Sequence, residues 1–262
     1  LANQAHAEDG YDLWLRYPPL ESAASARYAP ALRYIVAPAD RPTIGAAVAE
    51  LQRGLGGMLG SVPALRDRPD ADGGILIATA EAAPLETSGL PPGLGNEGYV
   101  IRTRTVAGKR TILILANKDI GALYGVFRLL KLLQTGQPID TLDIADAPRL
   151  KVRILNHWDN LDRHVERGYS GQSLWDWQKL PLYKDPRYTD YARANASIGI
   201  NGTVLTNVNA NADILRPDYL QKVKALADVF RPYGIKVYLT ARFSAPIELG
   251  KLTTADRKST RL

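Results

Sequence analysis

The sequence predicts an α/β protein in two parts, a small α/β domain followed by the first part of a truncated (β/α)8 barrel. Through residue 140, short β-rich runs are interleaved with segments of helical apolar spacing. From residue 149 the pattern becomes strand, loop, helix, repeated, as parallel β/α architecture reads. That second stretch is about 110 residues long, whereas a whole (β/α)8 barrel needs roughly 250. A chain of 262 residues also exceeds the usual size of one compact domain.

The elements follow in order. Residues 11–17, Tyr-Asp-Leu-Trp-Leu-Arg-Tyr, alternate large apolar and polar side chains and read as a half-buried strand that Pro18 and Pro19 stop. Residues 33–37 and 74–79 are β-rich, and 43–59 between them has helical spacing with Thr43 available as N-cap, giving a β-α-β unit. The glycines of Gly54-Leu-Gly-Gly57 fall at the end of that helix. Residues 98–105 and 111–116 flank the turn Val106-Ala-Gly-Lys109 and read as a hairpin. Asp119 opens a helix reaching Gln134, with Leu123, Val126, Phe127, Leu130 and Leu133 on one face and Gly136 ending it. The first domain is therefore expected over 8–140 and a connection over 140–148. The barrel portion, 149–262, then reads as strands at 151–155, 202–206 and 235–240, with helices at 186–197 and 217–230, the second opened by a proline.

Composition narrows the function classes. Hydrophobic residues at 45% and charged residues at 23% describe a foldable chain rather than a disordered one. The net charge of +6 comes from scattered Lys and Arg, so no basic stripe marks a nucleic-acid partner. No run of about 18 apolar residues suits a membrane span. Cysteine is absent, which removes disulfides, thiolate zinc sites and cysteine nucleophiles. The three histidines, His6, His157 and His164, lack any metal-ligand spacing, so no metal or other cofactor is expected. There is no G-x-S-x-G elbow, phosphate loop or dinucleotide fingerprint. Residues 1–7 end in small residues around Ala5 and Ala7 and read as a signal-peptide remnant, implying a secreted or periplasmic protein. The terminal Lys-Ser-Thr-Arg-Leu is unlike the start of another barrel helix and reads as the scar of a truncation or as a polar tail.

Chemistry is expected at the carboxyl ends of the second-part strands, where barrel enzymes place their sites. After the first comes Asn156-His157-Trp158-Asp159-Asn160. An indole beside Asn, His and Asp suits a sugar, whose apolar face stacks while polar groups hold its hydroxyls; Trp158 as core packing is the alternative. The loop runs on through residue 177 as a long aromatic segment, read as substrate-facing, in which Glu166 and Arg167 form either a structural ion pair or an acid–base group. Extended geometry sends Trp175 and Trp177 to opposite sides, so at most one faces a ligand. After the second strand, Asn207, Val208 and Asn209 offer uncharged hydrogen bonding around an apolar notch, or else Asx turns that shape the loop. Arg242 after the third strand could attract an acidic sugar.

The segments Leu155-Asn-His-Trp-Asp-Asn-Leu-Asp162 and Val165-Glu-Arg-Gly-Tyr-Ser-Gly-Gln-Ser-Leu-Trp-Asp-Trp177 closely resemble the barrel opening of glycoside hydrolase family 67 α-glucuronidases. Residues 8–17, 195–209 and 226–249 resemble it further, so the likeness covers 8 to about 255. It implies a hexosaminidase-like first domain, whose helix-opening pattern is matched by residues 117–125, then a (β/α)8 TIM barrel and a C-terminal dimer-forming helical region. The implied activity is inverting hydrolysis of the α-1,2 bond of (4-O-methyl)glucuronic acid on xylo-oligosaccharides, a step of xylan degradation. Both catalytic carboxylates are expected beyond Leu262, leaving this chain inactive and prone to aggregate through open strand edges. Trp158 matches the family's sugar-stacking tryptophan and Val208 the residue beside the uronic acid O4 substituent. Arg163-His164 departs from the small residues usual there, and Glu248 lies in a Ser-Pro-Ile-Glu-Leu type stretch without being the acid. The alternative from another class is a carbohydrate-binding module without catalysis; a hexosaminidase relative is supported by the first domain alone.

Overall fold

The computed structural model describes residues 9–80, 89–240, 242–250 and 252. The leader remnant at 1–7 and the tail at 256–262 lie outside the described residues. The chain divides into two compact units, Leu1–Arg149 and Leu150–Leu262.

The first unit is a six-stranded sheet with helices. Its elements are α1 (Ser22–Tyr28), β1 (Tyr34–Val36), α2 (Pro42–Leu59), β2 (Ala64–Leu65), β3 (Gly74–Thr79), β4 (Tyr99–Val106), β5 (Lys109–Ala116), α3 (Asp119–Gln134) and β6 (Asp143–Asp146). The strand order is β2-β1-β3-β5-β4-β6. β2, β1, β3 and β5 run parallel, while β4 is antiparallel to both β5 and β6. Every residue of β3 and the last six of β5 are buried, as expected of central strands covered on both faces.

Several expectations need correcting here. Residues 11–17 form no strand: the chain turns through Leu13 and Tyr17, both at positive φ. The alternation survives only in the burial of Leu15 and Tyr17, whose hydroxyl donates to the buried Glu50 carboxylate at 2.7 Å. Thr43 is not an N-cap, because Arg41 holds that position and Pro42 begins the helix. Nor do the glycines of 54–57 end α2, which runs on to Leu59 and stops at the left-handed Gly60. Gly57 instead marks close approach, since a Cβ there would lie 2.5 Å from the Tyr17 carbonyl oxygen. The hairpin turn is tighter than expected: Ala107 and Gly108, both at positive φ, make a two-residue turn that matches strand twist. The stretch read as a connection contains β6, an edge strand paired with β4 and tied by Arg102 to Asp143 at 2.8 Å.

The second unit comprises β7 (Ile154–Asn156), α4 (Pro186–Ser197), β8 (Gly202–Val204), α5 (Pro217–Phe230), β9 (Lys236–Tyr238) and α6 (Ala245–Leu249), with 3-10 turns at Ala212–Leu215 and Arg231–Tyr233. β7, β8 and β9 are parallel and neighbours in that order. Both long helices have the bounds that the sequence predicts, because each opens at Asp-Pro or Arg-Pro: the Asp185 carboxylate accepts from the Arg187 amide, and Pro217 presets the first turn of α5. The strands are shorter than predicted. At the head of β7 the Asn201 side chain replaces the ladder, its Oδ1 accepting from Arg153 N and its Nδ2 donating to Lys151 O, both at 2.9 Å. The core gathers Trp175, Trp177, Leu180, Tyr188, Leu226 and Phe230 between the helices and the sheet.

Candidate functional site

Two loops meet at the carboxyl ends of β7 and β8. The first leaves β7 at His157, whose amide donates to Val204 O at 3.0 Å and so extends the strand pairing by one residue. It then folds as a small hairpin, with bridges between Asp159 and Val165 and between His164 and Gln172. Its turns place Arg163 and Glu166 at positive φ, a conformation that costs a non-glycine residue on the order of 1 kcal/mol and needs anchoring. Asn160 provides that anchoring: its Nδ2 donates to His164 O at 3.1 Å and to Glu166 O at 2.7 Å. The Glu166 amide in turn donates to Trp158 O at 2.7 Å.

The second loop docks on the first through Asn207. The Asn207 amide donates to Asp159 O at 2.8 Å, its Nδ2 donates to Glu166 Oε2 at 3.0 Å, and its Oδ1 accepts from the Asn209 amide at 2.8 Å. Its carbonyl accepts from the Thr240 hydroxyl at 2.8 Å, which ties in the chain beyond β9.

These bonds sort the residues that the sequence singles out. Trp158 is 48% exposed and Val208 50% exposed, so both present apolar surface to solvent at the strand ends. Asn209 is also exposed, and the Arg167 side chain is 84% exposed with Nε 3.6 Å from Glu166 Oε1. Glu166 is held more closely by Asn207 than by Arg167, so the adjacent ion pair is the weaker of its two restraints. Asp159 and Asn160 turn toward the protein. Asp159 is 3% exposed and accepts from the Ser173 hydroxyl, which itself accepts from the Trp175 amide.

The segment 161–177, read as a substrate-facing loop, divides in two. Residues 167–172 are exposed, but Trp175 and Trp177 are both fully buried and neither reaches a ligand. Trp175 packs edge-on to His157 and Tyr191, each with centroids 5.2 Å away, and lies 5.8 Å from Tyr188 and Phe230. Sequence reasoning missed the polar chain beside it. His157 Nε2 is 2.8 Å from the Tyr191 hydroxyl, which is 2.9 Å from the Thr203 hydroxyl. The only sequence signal was Tyr191 three residues after Tyr188 on a helix, which does not distinguish a packed phenol from a bonded one.

Burial pushes the His157 pKa below its ordinary value, with the Asp159 carboxylate 3.8 Å away opposing the shift. Burial likewise pushes the Tyr191 hydroxyl up to about 12. The pair is therefore neutral at pH 7 and serves as a fixed strut between α4 and the β7 loop. Arg242, expected as an attractor for acid, is engaged by Glu248, whose carboxyl is held below the usual range by Ser244 and then by Arg242. Among the described residues, no group of three or more His, Asp or Glu could hold a metal ion. No helix among them is long and apolar enough to cross a membrane.

The family model described as the glycosyl hydrolase family 67 N-terminus matches residues 13–129, and that of the family 67 middle domain matches residues 132–262. The chain belongs to glycosyl hydrolase family 67. The boundary between the two family 67 matches falls before β6, whereas the compact units divide after Arg149. Alpha-glucuronidase A of Emericella nidulans is 39% identical over 96% of the chain, and a probable alpha-glucuronidase A of Aspergillus oryzae is 36% identical over 98%. The chain spans about 30% of the length of these curated relatives. Among solved structures, a family GH115 4-O-methyl-alpha-glucuronidase with specificity for decorated arabinogalactans shares the fold with a TM-score of 0.55 at 14% identity, over 81% of this chain and 29% of its own. A GH138 enzyme targeting pectin rhamnogalacturonan II has a TM-score of 0.51 at 15% identity, over 77% of this chain and 24% of its own.

Proposed function

We propose that this chain is the sugar-binding portion of an inverting α-glucuronidase that removes (4-O-methyl)glucuronic acid from xylo-oligosaccharides. The observation that carries the reading is that Trp158 and Val208, each about half exposed, lie on the loops that follow the adjacent parallel strands β7 and β8, in a family 67 chain. An indole face held this way stacks on a pyranose ring, Val208 flanks the O4 substituent, and Glu166 and Asn209 accept from hydroxyls. Arg167, free to swing at the rim, meets the uronate charge.

Inversion needs an acid to protonate the leaving oxygen and a base to activate water, with the carboxyls roughly 6.5–9.5 Å apart. In this proposal the pair comes from later strands of a (β/α)8 barrel that begins with β7, β8 and β9, so this chain binds without turnover. The same reading includes a hexosaminidase-like first unit, export to the periplasm or medium, and dimerisation through a C-terminal region.

The test is uronic acid release from aldouronic oligosaccharides by the 262-residue chain and by a protein continued to the length of its curated relatives. Release only by the longer protein supports the proposal, and release by the short chain overturns the placement of the carboxylates. Binding without release by either would favour a carbohydrate-binding module.

A further inference from the structure

We propose that Asn207 is a positioning residue that sets both Glu166 and Val208, rather than a group that touches the sugar. This inference rests on the proposed sugar site and deepens it. Asn207 is 5% exposed, and each of its polar groups already has a partner within the protein. The amide is bonded to Asp159 O, Nδ2 to Glu166 Oε2, Oδ1 to the Asn209 amide, and the carbonyl to Thr240 Oγ1. Side chain and backbone together, Asn207 thus joins the loops that follow β7, β8 and β9.

Two consequences follow from its geometry. The Oδ1 bond to the Asn209 amide is an Asx turn that folds the backbone around Val208, leaving Val208 as the exposed residue at the turn. The Nδ2 bond fixes one oxygen of the Glu166 side chain, while the Asn160 side chain and the Trp158 carbonyl hold only the Glu166 backbone. Glu166 keeps its second oxygen, Oε1, toward the weakly restrained Arg167. Asn207 therefore couples the acceptor side of the site to its apolar side, and disturbing it moves both together.

Asp is the informative substitution. N207D retains an oxygen for the Asx turn and both backbone bonds, but it replaces the donor to Glu166 with a second acceptor. The groups facing this pair are Arg167, with Nε 3.6 Å from Glu166, and Asp159 with His157, which meet Asn207 through the backbone of their loop. Two carboxyls at hydrogen-bond distance share one proton at low pH and repel once both ionise.

In the protein of the relatives' length, N207D is expected to bind an aldouronic oligosaccharide about tenfold to a hundredfold more weakly at pH 7.5, the loss expected when a hydrogen bond to a charged group is removed. The affinity should return to within about threefold of the parent near pH 4.5, where the shared proton restores the bond. Adding E166Q restores a donor facing an acceptor with the polarity reversed, so without ligand the double variant should unfold at a higher urea concentration at pH 7.5 than N207D.

A ligand-free measurement separates this inference from the identity of the sugar: the carboxyl carbon-13 resonances of residues 166 and 207 in N207D should titrate together as a coupled pair. Independent titration, or a double variant no more stable than N207D, overturns the positioning role. Coupled titration without any binding of the oligosaccharide supports the Asn207–Glu166 clasp and overturns the proposed substrate.

Discussion

The two tryptophans at positions 158 and 175 should behave oppositely when truncated. Trp175 is fully buried among His157, Tyr188, Tyr191 and Phe230, with centroid separations of 5.2–5.8 Å. A buried indole removes roughly 150–250 Å² from water, which at about 25 cal/mol per Å² is an upper bound of about 4–6 kcal/mol. Trp175→Ala should therefore destabilise the second unit by about 3–5 kcal/mol, as large-to-small changes at aromatic core positions do. Trp158, 48% exposed, keeps about half its surface in water and leaves no closed cavity, so Trp158→Ala should cost only about 1–2 kcal/mol. Its effect should fall on ligand affinity instead. Trp175→Phe should lose less, about 1–2 kcal/mol, because one six-membered ring still fills most of the site, the void left by the lost five-membered ring is small, and the indole Nε1 makes no hydrogen bond to the described residues. Urea unfolding followed by circular dichroism measures the stabilities, and titration with an aldouronic oligosaccharide measures the affinity. Equal destabilisation at the two positions, or a larger effect at Trp158, would refute the assignment of one indole to the core and the other to the surface.

Further outcomes follow from other contacts. Gly57→Ala should destabilise the first unit by about 1–3 kcal/mol despite the better helix propensity of alanine, because its Cβ would meet the Tyr17 carbonyl at 2.5 Å; an unchanged or raised midpoint would contradict the close approach. Ala107→Asn should stabilise the β4–β5 hairpin by up to about 1 kcal/mol, since asparagine tolerates the positive φ that alanine holds there; thermal unfolding reads this directly, and a loss would count against the turn type. Burial lowers the His157 pKa, so the unfolded chain binds more protons than the native one once pH falls below about 6.5. The stability contributed by the neutral imidazole is present above that pH and lost below it. The stability difference between the parent and His157→Gln should accordingly shrink from pH 7.5 to 5.5, and a constant difference would show that the imidazole does not titrate against burial.

Local chemistry made much of this molecule legible in the sequence. The helices at Pro186–Ser197, Pro217–Phe230 and Asp119–Gln134 were readable because proline or aspartate opens each one within its own first turn. The hairpin of β4 and β5 was readable from its glycine turn, and the long aromatic motif at 155–177 carried the family. What the sequence could not supply was pairing. Residues 11–17 carry a strand's alternation yet turn rather than extend, while residues 143–146 carry almost none and pair with β4. Alternation records which side chains have an apolar side, not whether another backbone lies 5 Å away to complete the ladder. The same distinction governs the site. Residue type and position placed Trp158, Asp159, Asn160, Glu166, Arg167, Asn207, Val208 and Asn209 near one another at strand ends. Only the tertiary structure decided that Asp159, Asn160 and Asn207 spend their polar groups on neighbouring loops while Trp158 and Val208 face solvent. A carboxylate or amide reads the same in sequence whether it bonds a ligand or a backbone, and the partner that settles the matter is distant in the chain, as Glu166 is from Asn207.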